Sequence, residues 1–355
     1  ARPAALGPWY GNAALAWVVG SVAVALALAR GMGWRRLAWF AAAIPPALVL
    51  VGLAQFRDAR TTLVWPGIVV WPLAWILHWL ALRAVEDDET IADKPWLRDA
   101  HTASAVALVA WAAWEASEWT GRVTPRGTAW IACAAALPAI AMLGLAVWPR
   151  AMARWPFARF PDAYARHAGW IVAGALAAWF VITNAVSPGT ATPLPWLPLL
   201  NPLDVTLALA VVALALCARM HAGMAPELRQ RWLGAALFVA GNGLILRIAH
   251  QWGGVPWRFA SLMASKPVQA ALTLAWTATA LVLMVWASRQ QLRALWLTGA
   301  ALLAAVVVKL FVVDLSALSG LPRIAAFLGA GAMLLAIGYF APPPASRPDD
   351  DAPAA

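Results

Sequence analysis

Residues 168–186 read AGWIVAGALAAWFVITNAV and residues 187–204 read SPGTATPLPWLPLLNPLD. How this pair is read decides the fold. The first stretch is uncharged and about as long as the ~20 residues a helix needs to cross a hydrocarbon core of about 30 Å. The second is as apolar as a protein core but cannot be one. Prolines at 193, 195, 198 and 202 forbid a regular helix, and a central strand would need the backbone donors that proline lacks. A greasy loop after a greasy helix belongs in a bilayer, where each missing N–H is one less group to satisfy.

Composition extends this reading to the whole chain. Hydrophobic residues make up 63% of 355 positions, charged residues 12%, and mean hydropathy is +0.71, well beyond the roughly 45–50% apolar and 25% charged of a soluble domain. No period-2 alternation recurs between hairpin turns, which argues against a barrel. The expected fold is therefore an all-α, polytopic transmembrane helical bundle. Apolar runs place about eleven spanning helices near 13–30, 37–54, 63–84, 102–119, 129–148, 168–186, 203–219, 231–249, 267–287, 293–313 and 323–341. The second should be kinked by Pro45-Pro46 in its middle. Residues 1–341 are expected to form one transmembrane domain, as a fragment of a longer membrane protein, and the proline-rich, acidic stretch 342–355 a disordered polar tail.

The net charge of +10 is distributed as topology signals. Counted in alternate connections, sixteen Lys and Arg fall on one side, among them Arg35, Arg36, Arg150, Arg154, Arg159 and Arg166, and eight on the other. The positive-inside rule makes the richer side cytoplasmic. It predicts a bacterial inner membrane protein with a cytoplasmic C-terminal tail and residues 187–202 at the outer face. Basic residues spread over short loops give no reason to expect nucleic acid.

Within 193–204, Trp196 suits the headgroup level. Asn201, Pro202 and Asp204 make a helix start, with Asn as N-cap, Pro at the first helical position and Asp in the first turn. Two readings of this segment stay open: an interfacial or re-entrant cap, or a cavity wall on which Asn201 and Asp204 bind a ligand.

The segment PLPWLPLLNPLD, together with TAWIACAAALPAI at 128–140, KPVQAALTLAWTATALVLM at 266–284 and KLFVVDLSALSGLPRIAAFLGAGAMLLAIGYFAPPP at 309–344, resembles the C-terminal part of the bacterial predicted membrane protein family catalogued as domain of unknown function 2339. The resemblance implies a membrane fold and location. It implies no activity and no catalytic residue.

Polar residues gathered toward the outer half of the helices form the candidate site. Glu115 and Glu118 share a helix face beside Trp111, Trp114 and Trp119. As paired carboxylates they could bind a cation or sugar, serve as general acid and base, or mark the hydrated end of their helix. Arg247 and His250 are likewise three apart and could hold a phosphate, or be a snorkelling Arg with an interfacial His. Lys309 lies about a turn inside its helix. Asp314 is expected to meet Arg323 across the turn at Gly320–Pro322, leaving Lys309 to snorkel or to face Glu115 or Asp204. His78 and His101 read as bonded packing residues. No Cys/His cluster or HExxH motif points to a metal, and no nucleotide-binding or nucleophile-elbow motif is present, so neither metal nor cofactor is expected. Cys133 and Cys217 read as small buried side chains.

Two functional classes follow. One is a non-catalytic cell-envelope component for transport, binding or scaffolding, with the lipid bilayer and membrane proteins as partners. The other is a membrane-embedded enzyme acting on a lipid-linked or glycan substrate at the outer face.

Overall fold

The computed structural model describes residues 8–33, 44–58, 61–86, 95–220 and 224–310, with 331 and 335. These residues are helical and linked by short connections, with two compact units, residues 1–244 and 245–355.

In the first unit, α1 (Pro8–Met32) packs on α2 (Ile44–Asp58) and α3 (Gly67–Glu86). Their shared core is built on Leu15, Val22, Leu48, Trp71 and Trp75. A long helix, α4 (Pro95–Val123), follows and joins this core to a second one. There α5 (Trp130–Ala146) packs against α4, against α7 (Gly169–Val186) and against α8 (Pro202–Met220). Small residues at this centre, Ala136, Ala139, Ala173 and Ala210, let the helices approach closely. Between α5 and α7 lie a short helix, α6 (Pro149–Met152), and a π-helical turn, Ala163–Ala168, which runs straight into α7. The boundary between the units falls within α9 (Pro226–Gln251).

In the second unit, a short α10 (Phe259–Ala264) precedes α11 (Lys266–Arg289), which pairs with α12 (Arg293–Lys309). Gly299 makes that pairing possible. A Cβ there would lie 2.7 Å from Met284 Cγ and 3.0 Å from the Ala280 carbonyl oxygen, too close for any other residue without repacking.

All-α and polytopic is what the structure shows, but the expected count of about eleven spanning helices is overturned. Six helical segments among the described residues are long and apolar enough to cross: Tyr10–Ala29, Gly67–Glu86, Ala163–Val186, Pro202–Met220, Pro226–Gln251 and Lys266–Arg289. The physical reasons are local. Of the run at 37–54, α2 is described over 15 residues, Ile44–Asp58, and residues 37–43, on which the expected kink at Pro45-Pro46 depends, lie outside the described residues. Helix α5 has 17 residues, and α12 is described over 17, the rest of the run to 313 lying outside the described residues except for Leu310. Helix α4 is long enough, at 29 residues, but Arg98, Asp99, His101, Glu115, Glu118 and Arg122 dilute its apolar character. The segment expected at 323–341 and the tail at 342–355 lie outside the described residues.

Candidate functional site

Within each unit, the described polar residues singled out in the sequence belong to separate local networks. Glu115 is 4% exposed, and its hydrogen bonds all go to a loop that sequence reading passed over. Thr61 Oγ1 donates to Oε2 at 2.6 Å, Thr62 Oγ1 to Oε1 at 2.7 Å and the Thr62 backbone N–H to Oε1 at 2.6 Å. Trp111, one turn back on α4, donates its indole N–H to Thr62 Oγ1 at 3.0 Å.

The same loop is anchored from its other side. Asn12 of α1 donates to the Val64 carbonyl at 3.1 Å and accepts from Gln55 of α2 at 2.5 Å and from Trp71 of α3 at 3.2 Å. A side chain on Gly67 would collide with the Thr62 carbonyl and the Asn12 amide, so only glycine lets the loop turn into α3 here. Three helices thus converge on residues 61–67, and Glu115 of a fourth locks them. Glu118, three residues on, is half-buried, and Trp119 beside it carries the Arg122 guanidinium 5.2 Å over its ring.

Asn201 and Asp204 close on each other. The Asp204 N–H donates to Asn201 Oδ1 at 3.0 Å, while Asn201 Nδ2 donates to Asp204 Oδ2 at 2.6 Å. The Leu199 N–H also donates to Oδ2, at 3.1 Å. This reciprocal cap satisfies donors at the start of α8 and braces Leu199, whose φ of +66° needs such support. Leu194, Leu197, Leu199 and Leu200 of the same segment are exposed.

In the second unit Arg247 is 1% exposed, so it does not snorkel to water. His250 donates from Nδ1 to the Val255 carbonyl at 2.7 Å, with Trp257 edge-on to its ring, and so ties down the turn after α9. Lys309, expected to lack a local partner, donates to Thr273 Oγ1 at 2.7 Å and to the Gln269 carbonyl at 3.3 Å on α11. Asp314 and Arg323 lie outside the described residues.

A second buried network was missed altogether. Glu86, the last residue of α3, lies against His101 of α4 and Tyr164 of the π-turn. His101 Nε2 is 3.0 Å from Glu86 Oε1, within ion-pairing range but out of line for a straight hydrogen bond. His101 Nδ1 is 2.7 Å from the Tyr164 hydroxyl, and Trp155 donates its indole N–H to Glu86 Oε1 at 3.3 Å. Trp79, Phe157 and Phe160 enclose the group, with ring centroids 4.7 to 6.3 Å from His101 or Tyr164. His78, a further two turns into α3, bonds Ser104 at 2.7 Å. The Ser104 hydroxyl gives its own proton to the Ala100 carbonyl at 2.6 Å, so His78 must be the donor, from Nε2–H.

One sequence signal could have found this network. Residues 71, 75, 78, 82 and 86 of α3 and 101, 104, 108, 111 and 115 of α4 are each spaced by three or four, one stripe per helix. Run antiparallel, the two stripes set Trp71 beside Trp111, stacked at 5.8 Å, His78 beside Ser104 and Glu86 beside His101.

Among the described residues no group of three or more His, Cys, Asp or Glu could hold a metal. The recesses on the described surface are open grooves. One of about 500 Å³ runs between α4 and the π-turn with α7, polar at Asp99, Thr102 and His167 and apolar at Val106 and Ile171.

A family model described as "Predicted membrane protein (DUF2339)" matches residues 3–344. No curated protein and no solved structure matches the chain.

Proposed function

The chain belongs to the DUF2339 family of predicted membrane proteins, and from that premise we propose that it is a non-catalytic component of the bacterial cell envelope, embedded in the inner membrane to scaffold or bind. The observation that carries this reading is the state of Glu115. A general acid or base must come within about 2.6–3.2 Å of the proton it moves, and Glu115 is sealed with three short hydrogen bonds from Thr61 and Thr62. Asp204 is closed into a helix cap in the same way. These carboxylates hold helices and loops in place.

Orientation rests on the one span whose flanks differ most. Arg150, Arg154, Arg159 and Arg166 precede or open Ala163–Val186, whereas residues 187–201 contain no charge. The positive-inside rule puts the first group in the cytoplasm and the leucine-rich loop at the outer face. Single cysteines at Arg154 and Thr192 should then label from opposite sides.

Cells lacking the gene provide the functional test, complemented by Glu115→Gln, Glu118→Gln and Asp204→Asn one at a time. A scaffold restores the wild-type phenotype in proportion to the amount of folded protein in the membrane. A variant present at full level yet inert would show that its carboxylate does chemistry, and the reading would fall.

A further inference from the structure

We propose that Glu86, His101 and Tyr164 form a proton-binding site, occupied by one proton held as an imidazolium on His101 against a Glu86 carboxylate, which joins α3 and α4 to the π-turn at 163–168. Such a role goes beyond scaffolding, and nothing in the family's description supplies it.

The inference starts from Glu86. Its carboxyl is 5% exposed and has two polar neighbours, the Trp155 N–H at 3.3 Å and His101 Nε2 at 3.0 Å. A carboxylate buried with one neutral donor is strongly disfavoured unless a cation sits beside it. No Lys or Arg does. Arg83, on the same helix, is exposed with its guanidinium 5.4 Å over the Trp155 ring, and Arg159 lies over Phe160. Arg154, Asp162, Arg166 and His167 are exposed, as are Arg98 and Asp99 on α4. Helix α5, packed on α4, carries no charged side chain, and His78, two turns away along α3, is engaged as a donor to Ser104.

Among the described residues the remaining source of positive charge is His101 itself. Its Nε2 lies at ion-pairing distance from Glu86 Oε1 and its Nδ1 at hydrogen-bond distance from the Tyr164 hydroxyl, and an imidazolium is the form that sets a positive charge against the first while donating to the second. Proton and charge balance without another reactant. A hydronium ion transfers one proton to His101 Nε2 and leaves as water, and the new cation neutralises the existing carboxylate. Loss of that proton leaves the carboxylate uncompensated in a sealed aromatic shell.

Tyr164 makes the site mechanical as well as acid–base. It sits in a π-helical turn, a geometry found mostly as single turns and often at functional positions. Ionisable groups inside membrane segments are costly and mark ion or proton sites unless another account is available. For Glu115 the threonine donors give that account, and for Glu86, among the described residues, a proton on His101 gives it.

The test uses the full chain in lipid nanodiscs, labelled with 15N-histidine and with 13C at the tyrosine Cζ. Dipolar coupling between a histidine ring nitrogen and a tyrosine Cζ identifies His101 without substitution, because its bond to Tyr164 is the one His–Tyr hydrogen bond among the described residues. At neutral pH both coupled ring nitrogens should carry protons, and Glu86→Gln should turn one of them into the unprotonated type. An unprotonated nitrogen in wild-type His101 would overturn the proposal. So would a Glu86→Gln spectrum identical to wild type. Should that variant fail to accumulate, the wild-type spectrum decides alone.

Discussion

Glu115 and Glu86 are both sealed against α4, at levels roughly 21 Å apart given about 1.5 Å of rise per residue between His101 and Glu115, and their charges are met in different ways. Around Glu115 stand two hydroxyls and a backbone amide, supplied by a loop that Asn12, Gln55 and Trp71 hold from behind. Around Glu86 stand an imidazole and an indole. The donors at the first site cannot titrate near neutral pH, so that end of α4 is fixed. At the second, the partner is an imidazole, which is charged only while it holds the extra proton. One helix thus carries a permanent clamp at one end and a proton-dependent one at the other, with Trp71, Trp75 and Trp111 packed between them.

Removing the permanent clamp should do the most damage. Glu115→Leu orphans three buried donors at about 1–3 kcal/mol each, and we expect a loss of about 4 kcal/mol, seen as a large drop in the unfolding temperature and in the yield of monodisperse protein. Gly67→Ala attacks the same loop through sterics, and because the collision is with backbone its effect should approach that of Glu115→Leu. If thermal unfolding of either variant matches wild type, residues 61–67 are not what Glu115 holds.

At the other end the expected effects are paired. His101→Leu leaves Glu86 buried without its cation, a class of change that costs about 3–5 kcal/mol in soluble proteins. Adding Glu86→Gln removes the charge that needed compensation, so the double variant should be more stable than His101→Leu alone. No such rescue should follow at Glu115 when Thr61→Val is combined with Glu115→Gln, because no ionic partner was lost there. A double variant at 86 and 101 that loses the sum of both single changes would make the two sites alike.

The sequence made the helices legible and hid the partnerships. Ten of the apolar runs coincide with helices because a continuous run in this composition has no other stable form in lipid. Deciding which of them cross was harder. Helix α4 is diluted by charged and polar residues, His101 and Glu115 of the two clamps among them, and the start of the run at 37–54 lies outside the described residues. Glu115 was visible as a candidate site residue from its place among tryptophans, but Thr61 and Thr62, more than fifty residues earlier, have no periodicity to betray them. His101 looked solitary because Glu86 stands first in the acidic sequence Glu86-Asp87-Asp88-Glu89 after an apolar run, and Tyr164 lies in a π-turn that no apolar spacing announces. Asn201 and Asp204 were readable as a cap because a cap is local.

The smallest effects should come from single hydroxyls at the proton-dependent end. Tyr164→Phe keeps the ring, its 4.7 Å contact with Phe157 and the packing on Trp79, and removes only the oxygen 2.7 Å from His101 Nδ1. A neutral imidazole could turn that nitrogen into an acceptor and lose little. An imidazolium cannot, since both nitrogens carry protons, and its Nδ1–H would be left buried without an acceptor. Hydrogen bonds to charged groups contribute about 1.5–3 kcal/mol against about 0.5–1.5 for neutral ones. Ser104→Ala supplies the neutral reference, because His78 donates to that hydroxyl from a single N–H and can keep its charge state without it. Thermal unfolding of both variants in the same nanodiscs should therefore rank Tyr164→Phe below Ser104→Ala. The reverse order would mean that His101 carries no more charge than His78, and the contrast between the two ends of α4 would reduce to one of packing.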